Sequence, residues 1–227
     1  QGYRIVGTTP DYVAHYRATL AAPLSEYDSE VFLDEGDGDP LTQMPCFLSV
    51  EDEIIEVESR RRAAVQTGTS GVDMITWIAV TGGNEGNGIT ITLLAPEDPD
   101  SPLSVEVTGS AVTIRLATDG DGNPVSTVDE VLNALAQHAG ASGLLFAFSG
   151  ATGVVEAAAE TMLSGGNNDI LNLGGDYGGR GAQGTNRASH PVGASVEMRY
   201  TAAHLLEIQS MVGIQTLFPS QFTALSG

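Results

Sequence analysis

The sequence predicts a mainly β protein with a few short helices. Glycine (28 residues) and proline (10 residues) recur at short intervals along the 227 residues and do not gather into one linker. Between them lie short runs rich in Val, Ile and Thr. Short apolar runs separated by Gly and Pro are typical of a chain that forms many short strands.

A shift in charge marks candidate domain boundaries. Residues 67–166 contain 12 acidic residues and one Arg, whereas the rest of the chain contains 17 acidic residues and eight Arg. A run of three arginines at positions 60–62 precedes this block, and a Gly-Gly-Asn-Asn sequence closes it. We therefore expect domain boundaries near residues 62 and 167, with an acidic block between them.

The strands of the first segment are predicted from roughly alternating apolar residues. They cover residues 16–22, 30–33, 47–50 and 53–58. Glu51 and Asp52 are predicted to form a tight turn between the last two strands.

The insert is predicted to contain five strands and the best helix of the chain. The strand predictions rest on Val-, Ile- and Thr-rich runs at residues 74–81, 88–95, 103–108, 111–117 and 144–148. Residues 126–136 place apolar side chains at helical spacing behind a Ser-Thr cap, with Asp and Glu in the first turn. Residues 154–163 fit either a short helix or a strand.

The last segment begins with a glycine-rich stretch at residues 174–185. A strand is predicted over 195–200 and a helix over 201–211, with apolar residues on one face. The apolar residues after position 211 show no clear periodicity.

Charge excludes several classes of partner. The chain has a net charge of −20 and contains no Lys, so its nine basic residues are all Arg. Proteins normally contact the phosphates of nucleic acids through clusters of Lys and Arg. An anionic membrane surface would repel so acidic a chain. Phosphate loops of the Walker type need a Lys. We predict no nucleic-acid, membrane or cofactor binding, and the apolar runs are too short for a membrane span or a secretory leader.

No catalytic constellation emerges from the sequence. The single cysteine, Cys46, precedes an apolar strand and is expected to be buried and inert. The four histidines are scattered, and no Gly-x-Ser-x-Gly elbow is present. Glu51 and Glu53 could perform acid–base chemistry, but in so acidic a chain such a pair is expected to form a solvated face. We predict that the protein is not an enzyme.

One pattern has the spacing of calcium ligands. Asp119, Asp121, Asn123 and Glu130 occupy the first, third, fifth and twelfth positions of a calcium loop. Pro124 replaces the glycine that such a loop needs for its sharp turn, and a strand precedes it. A polar turn followed by a helix cap is therefore the favoured interpretation, and a metal site is the weaker one.

Two stretches together resemble a module found in virion proteins of tailed bacteriophages, often at the base of tail fibres or in baseplates. Its first half resembles residues 19–24 and 47–57. Its more specific second half is usually written Arg-Gly-x-x-Gly-Thr, followed by Ala and His and then by Gly-Ala and a strand. In this chain the second half corresponds to Arg-Gly-Ala-Gln-Gly-Thr at residues 180–185, Ala-Ser-His at 188–190 and Gly-Ala at 193–194. A trailing element of the same module corresponds to Thr-Ala-Ala-His-Leu at 201–205.

About 120 residues separate the two halves, and the block between them resembles a second phage-associated module. The resemblance therefore implies a discontinuous β-rich host domain made of residues 1–62 and 167–227, with an inserted acidic α+β domain at 63–166. The charge shift near residues 62 and 167 fits this division. The resemblance implies a non-enzymatic virion component that is assembled in the host cytoplasm. A tail-associated adaptor or fibre-attachment protein is favoured over a capsid decoration protein or a module that binds a host receptor or carbohydrate. The implied partners are further copies of the chain, as a trimer or higher symmetric ring, and other tail or capsid proteins.

If assembly is the function, apolar surface and Arg contacts of the host domain are expected to supply affinity. The predicted interface residues are Arg60, Arg61, Arg62, Arg180, Arg187, Leu205, Ile208, Phe218 and Phe222. For the arginine triplet, a solvated charge cluster is the alternative.

Overall fold

The computed structural model describes residues 16–42, 44–96, 98–175 and 178–199. The chain divides into two compact units. Unit 1 combines residues up to 59 with those from 169 onward, and unit 2 comprises residues 60–168. The sequence prediction places these boundaries after residues 62 and 166. The predicted helix 201–211 and the interface candidates Leu205, Ile208, Phe218 and Phe222 lie outside the described residues.

The described residues contain twelve strands and two α-helices. The strands are β1 (Arg17–Thr19), β2 (Glu30–Phe32), β3 (Cys46–Val50), β4 (Glu53–Thr67), β5 (Ile75–Gly82), β6 (Thr90–Leu94), β7 (Ser104–Thr108), β8 (Ala111–Arg115), β9 (Leu145–Phe148), β10 (Ala158–Met162), β11 (Asn167–Leu173) and β12 (Ser195–Arg199). The helices are α1 (Val128–Gln137) and α2 (Ala139–Ser142). The predicted fold class, mainly β with a few short helices, is confirmed.

The sheet of unit 1 closes on itself. Its strands pair in the order β1-β12-β3-β4-β11-β2. Beyond this order, a bridge between Leu20 and Leu33 joins the two outer strands, where Ala21 N donates to Phe32 O at 2.8 Å and Asp34 N donates to Thr19 O at 3.0 Å. Closure removes the open strand edges that would otherwise present unpaired backbone groups.

The interior of unit 1 follows from the two-residue period of its strands. Leu48 and Val50 in β3 and Ile55 and Val57 in β4 are completely buried. The antiparallel register that pairs Leu48 with Ile55 brings these side chains together. Glu51 and Asp52 connect β3 to β4 as predicted, and Glu51 adopts a φ of 52° in this two-residue turn.

Unit 2 contains a four-stranded sheet and a part of a second sheet. The four strands pair in the order β10-β6-β8-β7, and β6 runs parallel to β8. In the second sheet, residues 62–67 of β4 pair with β5, and β5 pairs with β9. The completely buried Trp77 lies in the core of this unit, and its indole Nε1 donates to Thr67 Oγ1 at 2.9 Å.

Helix α1 confirms the strongest helix prediction. Thr127 is its N-cap and forms a capping box with Glu130, in which Thr127 N donates to Glu130 Oε2 at 2.8 Å. Val128, Val131 and Leu135 are buried on the inner face. No helix among the described residues is long and apolar enough to cross a membrane.

Two strands differ from their predictions. β4 continues through the arginine triplet to Thr67, because its second part gains a new partner in β5. No element was predicted over β11, whose sequence begins Asn-Asn-Asp; pairing with β4 on one side and β2 on the other makes it a strand. The ambiguous segment 154–163 contains the strand β10.

Candidate functional site

Three buried polar side chains meet in unit 1, at the turn between β3 and β4. Glu53 begins β4, and the loop that follows β11 brings Arg180 and His190 beside it. Glu53 is 1% exposed, and Arg180 and His190 are each 4% exposed. Buried charges are rarely tolerated unless they are paired and hydrogen-bonded. We call these three residues the clamp.

Glu53 accepts five hydrogen bonds. Arg180 donates Nε to Oε1 and Nη2 to Oε2, each at 2.8 Å, in a bidentate pair. The backbone amides of Gly181 and Ala188 donate at 2.9 and 3.0 Å, and His190 Nε2 lies 2.9 Å from Oε2. The carboxylate therefore joins four points on one loop to the start of β4.

The remaining donors of Arg180 and His190 also have partners. Arg180 Nη1 donates to the carbonyl of Ser25, and Nη2 also donates to the carbonyl of Ala188 at 2.7 Å. His190 Nδ1 lies 2.9 Å from Oε2 of Glu51, whose side chain is 53% exposed. A ring with a proton on both nitrogens donates to both carboxylates.

The environment of Glu53 acts on its pKa in two directions. Burial would raise the pKa of this carboxyl. Hydrogen bonds from Arg180, His190, Ala188 and Gly181 outweigh the burial and lower the pKa from 4.5 to about 2. Glu53 is therefore an ionised carboxylate at neutral pH, and the guanidinium of Arg180 balances its charge.

The Arg-Gly-x-x-Gly-Thr segment has a structural role at each of its defined positions. Gly181 adopts a φ of 62°, which lets its amide reach Glu53. Gly184 has a φ of 83°. Thr185 Oγ1 accepts from Ile54 N at 2.9 Å and donates to Ala182 O at 2.9 Å. These residues attach the loop to β4 at two successive positions, Glu53 and Ile54.

The two glycines provide a matched test of this geometry. Gly184→Ala is expected to cost about 1–2 kcal/mol of unfolding free energy, because its positive φ strains an L-residue while nothing lies within 4 Å of the new Cβ. Gly181→Ala is expected to cost more, since its Cβ would lie 2.9 Å from the carbonyl oxygen of Thr185. Urea denaturation of both variants measures the difference. Equal losses would contradict the close packing at Gly181.

Acid is expected to destabilise unit 1 through Glu53. Because its folded-state pKa is about 2 and its ordinary pKa is 4.5, ionised Glu53 stabilises the fold above pH 4.5. This stabilisation is lost as the pH falls from 4.5 toward 2. Between about pH 6 and about pH 3, the melting temperature should fall further for the natural chain than for Glu53→Gln. Equal losses in both chains would contradict the assigned role.

A shallow acidic cleft adjoins the clamp. Its volume is about 380 Å³, and its lining consists of Glu51, Asp52, Glu53, Gly184, Thr185, Asn186, Ala188 and His190. General acid–base catalysis needs a group that can reach the substrate and exchange a proton with it. Glu53 and His190 are buried, and their polar atoms have partners within the fold. The arrangement suits a structural clamp.

The prediction that Glu51 and Glu53 form a solvated face is wrong for Glu53. Glu51 does keep a half-exposed side chain, but Glu53 is buried. A signal for this was present in the sequence: Glu53, Ile55 and Val57 share one face of β4 by the two-residue period, and the latter two are core residues. The partners Arg180 and His190 lie about 130 residues away and have no such local signal.

The predicted interface arginines have different environments. Arg180 was predicted as an interface residue, but it is buried within its own fold because it neutralises Glu53. Arg187 is exposed on the clamped loop. Arg60, Arg61 and Arg62 are half-buried in β4, where Arg60 Nη1 donates to Asn168 Oδ1 at 2.9 Å.

The four calcium-spaced residues form a turn and a cap. Asp119 Oδ1 accepts from the backbone amides of Asp121 and Asn123, each at 2.9 Å, and hydrogen bonding from Asn123 lowers the pKa of Asp119. The carboxylate of Glu130 is engaged by Thr127 at the start of α1. Among the described residues, no group of three or more His, Cys, Asp or Glu side chains is arranged to hold a metal ion.

Cys46 is buried as predicted, with its Sγ 3.5 Å from Sδ of Met44. The clamp contains Arg180 and His190, and the neighbouring Gly181 and Thr185 bond to Glu53 and Ile54 at the start of β4. The sequence matches no protein-family model, and comparisons with curated proteins and with solved structures found no match.

Proposed function

We propose that the protein is a non-enzymatic structural component of a tailed-virus particle, where it acts as a tail-associated adaptor or fibre-attachment protein. The observation that carries this proposal is the clamp. Arg180, Gly181, Thr185 and His190 fix a loop to the start of β4, and the hydrogen bonds of their side chains and of the Gly181 amide are made within the fold. These are the defined positions of the motif that resembles phage virion modules.

A clamped loop suits a docking role. Gln183, Asn186, Arg187, Ala188 and Ser189 are exposed on it, while the residues that anchor it are buried. Pre-ordering a surface before binding reduces the entropy lost on association. The loop therefore offers a neighbouring virion protein a fixed surface with one exposed cation, Arg187.

Disruption of the gene in the virus that encodes the chain tests the proposal. Electron microscopy of the resulting particles is expected to show heads whose tails or fibres are missing. Stable particles with complete tails and fibres that infect normally would contradict it. Heads that burst or expand would instead identify a capsid decoration protein, and complete particles that fail to adsorb would identify a receptor-binding protein.

Arg187→Ala with Ser189→Ala as its matched control locates the docking surface. Both residues are exposed on the same clamped loop, so neither change disturbs the core. Complementation of the disrupted gene with Arg187→Ala is expected to give fewer complete particles than complementation with Ser189→Ala. Equal numbers of complete particles from the two variants would contradict a docking role for this loop.

A further inference from the structure

Unit 2 presents an apolar sheet face to solvent. In the sheet formed by the second part of β4 with β5 and β9, Ile78 lies opposite both Ala64 and Phe146. Phe146 is 39% exposed, Phe148 is 55% exposed and Val80 is 40% exposed. The opposite face of the same strands holds Trp77 and Leu145 in the core. We call the exposed side, with Arg62, the outer face.

The outer face differs in charge from the rest of the chain. Residues 62–67, 75–82 and 145–148 contain no Asp or Glu and include Arg62, although the chain as a whole has 29 acidic residues. The guanidinium of Arg62 lies 5.6 Å from the centroid of the Phe146 ring. Its Nε is buried and has no hydrogen-bond partner within the described part of the chain. A cation beside aromatic rings is typical of protein interfaces.

One strand edge of this sheet has no neighbouring strand within the part of the chain that the structure describes. Within the described residues, β9 pairs only with β5. An edge strand with exposed aromatic side chains is a surface on which another chain can pack or pair. Soluble proteins usually protect such edges with charged side chains, and β9 has none.

We infer that the outer face binds an acidic surface of a second copy of this chain. Charge complementarity selects this occupant, because a basic and apolar face favours an acidic partner, and each copy has a net charge of −20 with its acidic residues elsewhere. Such a contact joins two different surfaces of identical chains. It therefore generates a ring or a filament and not an isologous pair.

Sedimentation equilibrium of the full chain tests this inference. The natural chain is expected to associate, and Phe146→Ser combined with Phe148→Ser is expected to weaken association by about tenfold or more. Met162→Ser is the matched control, since Met162 is 60% exposed but lies on β10 in the other sheet of unit 2. Arg62→Glu provides a second variant that keeps both aromatic rings. Trp77 fluorescence and circular dichroism verify folding of each variant.

A natural chain that stays monomeric up to about 100 µM overturns the inference and leaves a different acidic protein as the occupant of the face. Association that Met162→Ser weakens as much as the Phe and Arg62 variants do would also overturn it. The outer face is a property of the isolated chain, so a failure here leaves the results of gene disruption unaffected.

Discussion

Replacing Glu53 by Gln is expected to lower the unfolding free energy of unit 1 by about 3–5 kcal/mol, because it leaves the buried guanidinium of Arg180 without its counter-charge. The amide of Gln also has only one acceptor oxygen, whereas both carboxylate oxygens of Glu53 accept hydrogen bonds. The amides of Gly181 and Ala188 therefore compete for fewer acceptors. Urea denaturation followed by circular dichroism measures the loss.

Glu35→Gln is the matched control, since Glu35 is exposed and the change removes the same charge from the surface. It is expected to change stability by less than about 0.5 kcal/mol. A second comparison replaces both clamp partners, in Glu53→Gln combined with Arg180→Met. Because this double variant has no unpaired buried charge, it should lose less than the sum of the two single variants. A loss of under about 1 kcal/mol for Glu53→Gln would contradict the clamp.

Trp77→Ala is expected to have an effect of similar size on unit 2. The side chain is completely buried, so its removal leaves a cavity and costs about 3–5 kcal/mol. It also removes the hydrogen bond to Thr67. Urea denaturation must be followed by circular dichroism, because this is the single tryptophan of the chain.

Trp77→Phe distinguishes the two contributions. Phe keeps much of the buried ring but cannot donate to Thr67 Oγ1, so a smaller loss than that of Trp77→Ala is expected. Equal losses for the two variants would show that the hydrogen bond, and not the packing, accounts for the role of Trp77. A loss below about 1 kcal/mol in Trp77→Ala would contradict its position in the core.

Local signals predicted most elements of the fold. The capping box at Thr127 and Glu130 is a pattern over four residues, and it located α1 to within a turn. The two-residue turn at Glu51 and Asp52 was found for the same reason. β11 was missed because its strand character comes from partners far along the chain, and its own sequence begins with turn-forming residues.

The clamp was only partly predictable. The resemblance drew attention to the loop at residues 180–190. The burial of Glu53 follows from its position on the same face of β4 as Ile55. Its pairing with Arg180 requires the closed sheet that brings the two segments of unit 1 together. The acidic composition favoured exposed carboxylates in general. An average over the chain cannot identify which few carboxylates are buried, and Glu53 is one of these.

The copy number of the chain in purified virus particles tests the central claim most directly. Quantitative mass spectrometry against the major capsid protein supplies this number. A tail-associated adaptor or fibre-attachment protein is expected at about a dozen copies or fewer, in keeping with closed cyclic symmetry. Hundreds of copies would place the chain on the capsid, and its absence from the particle would contradict a structural role in the virion.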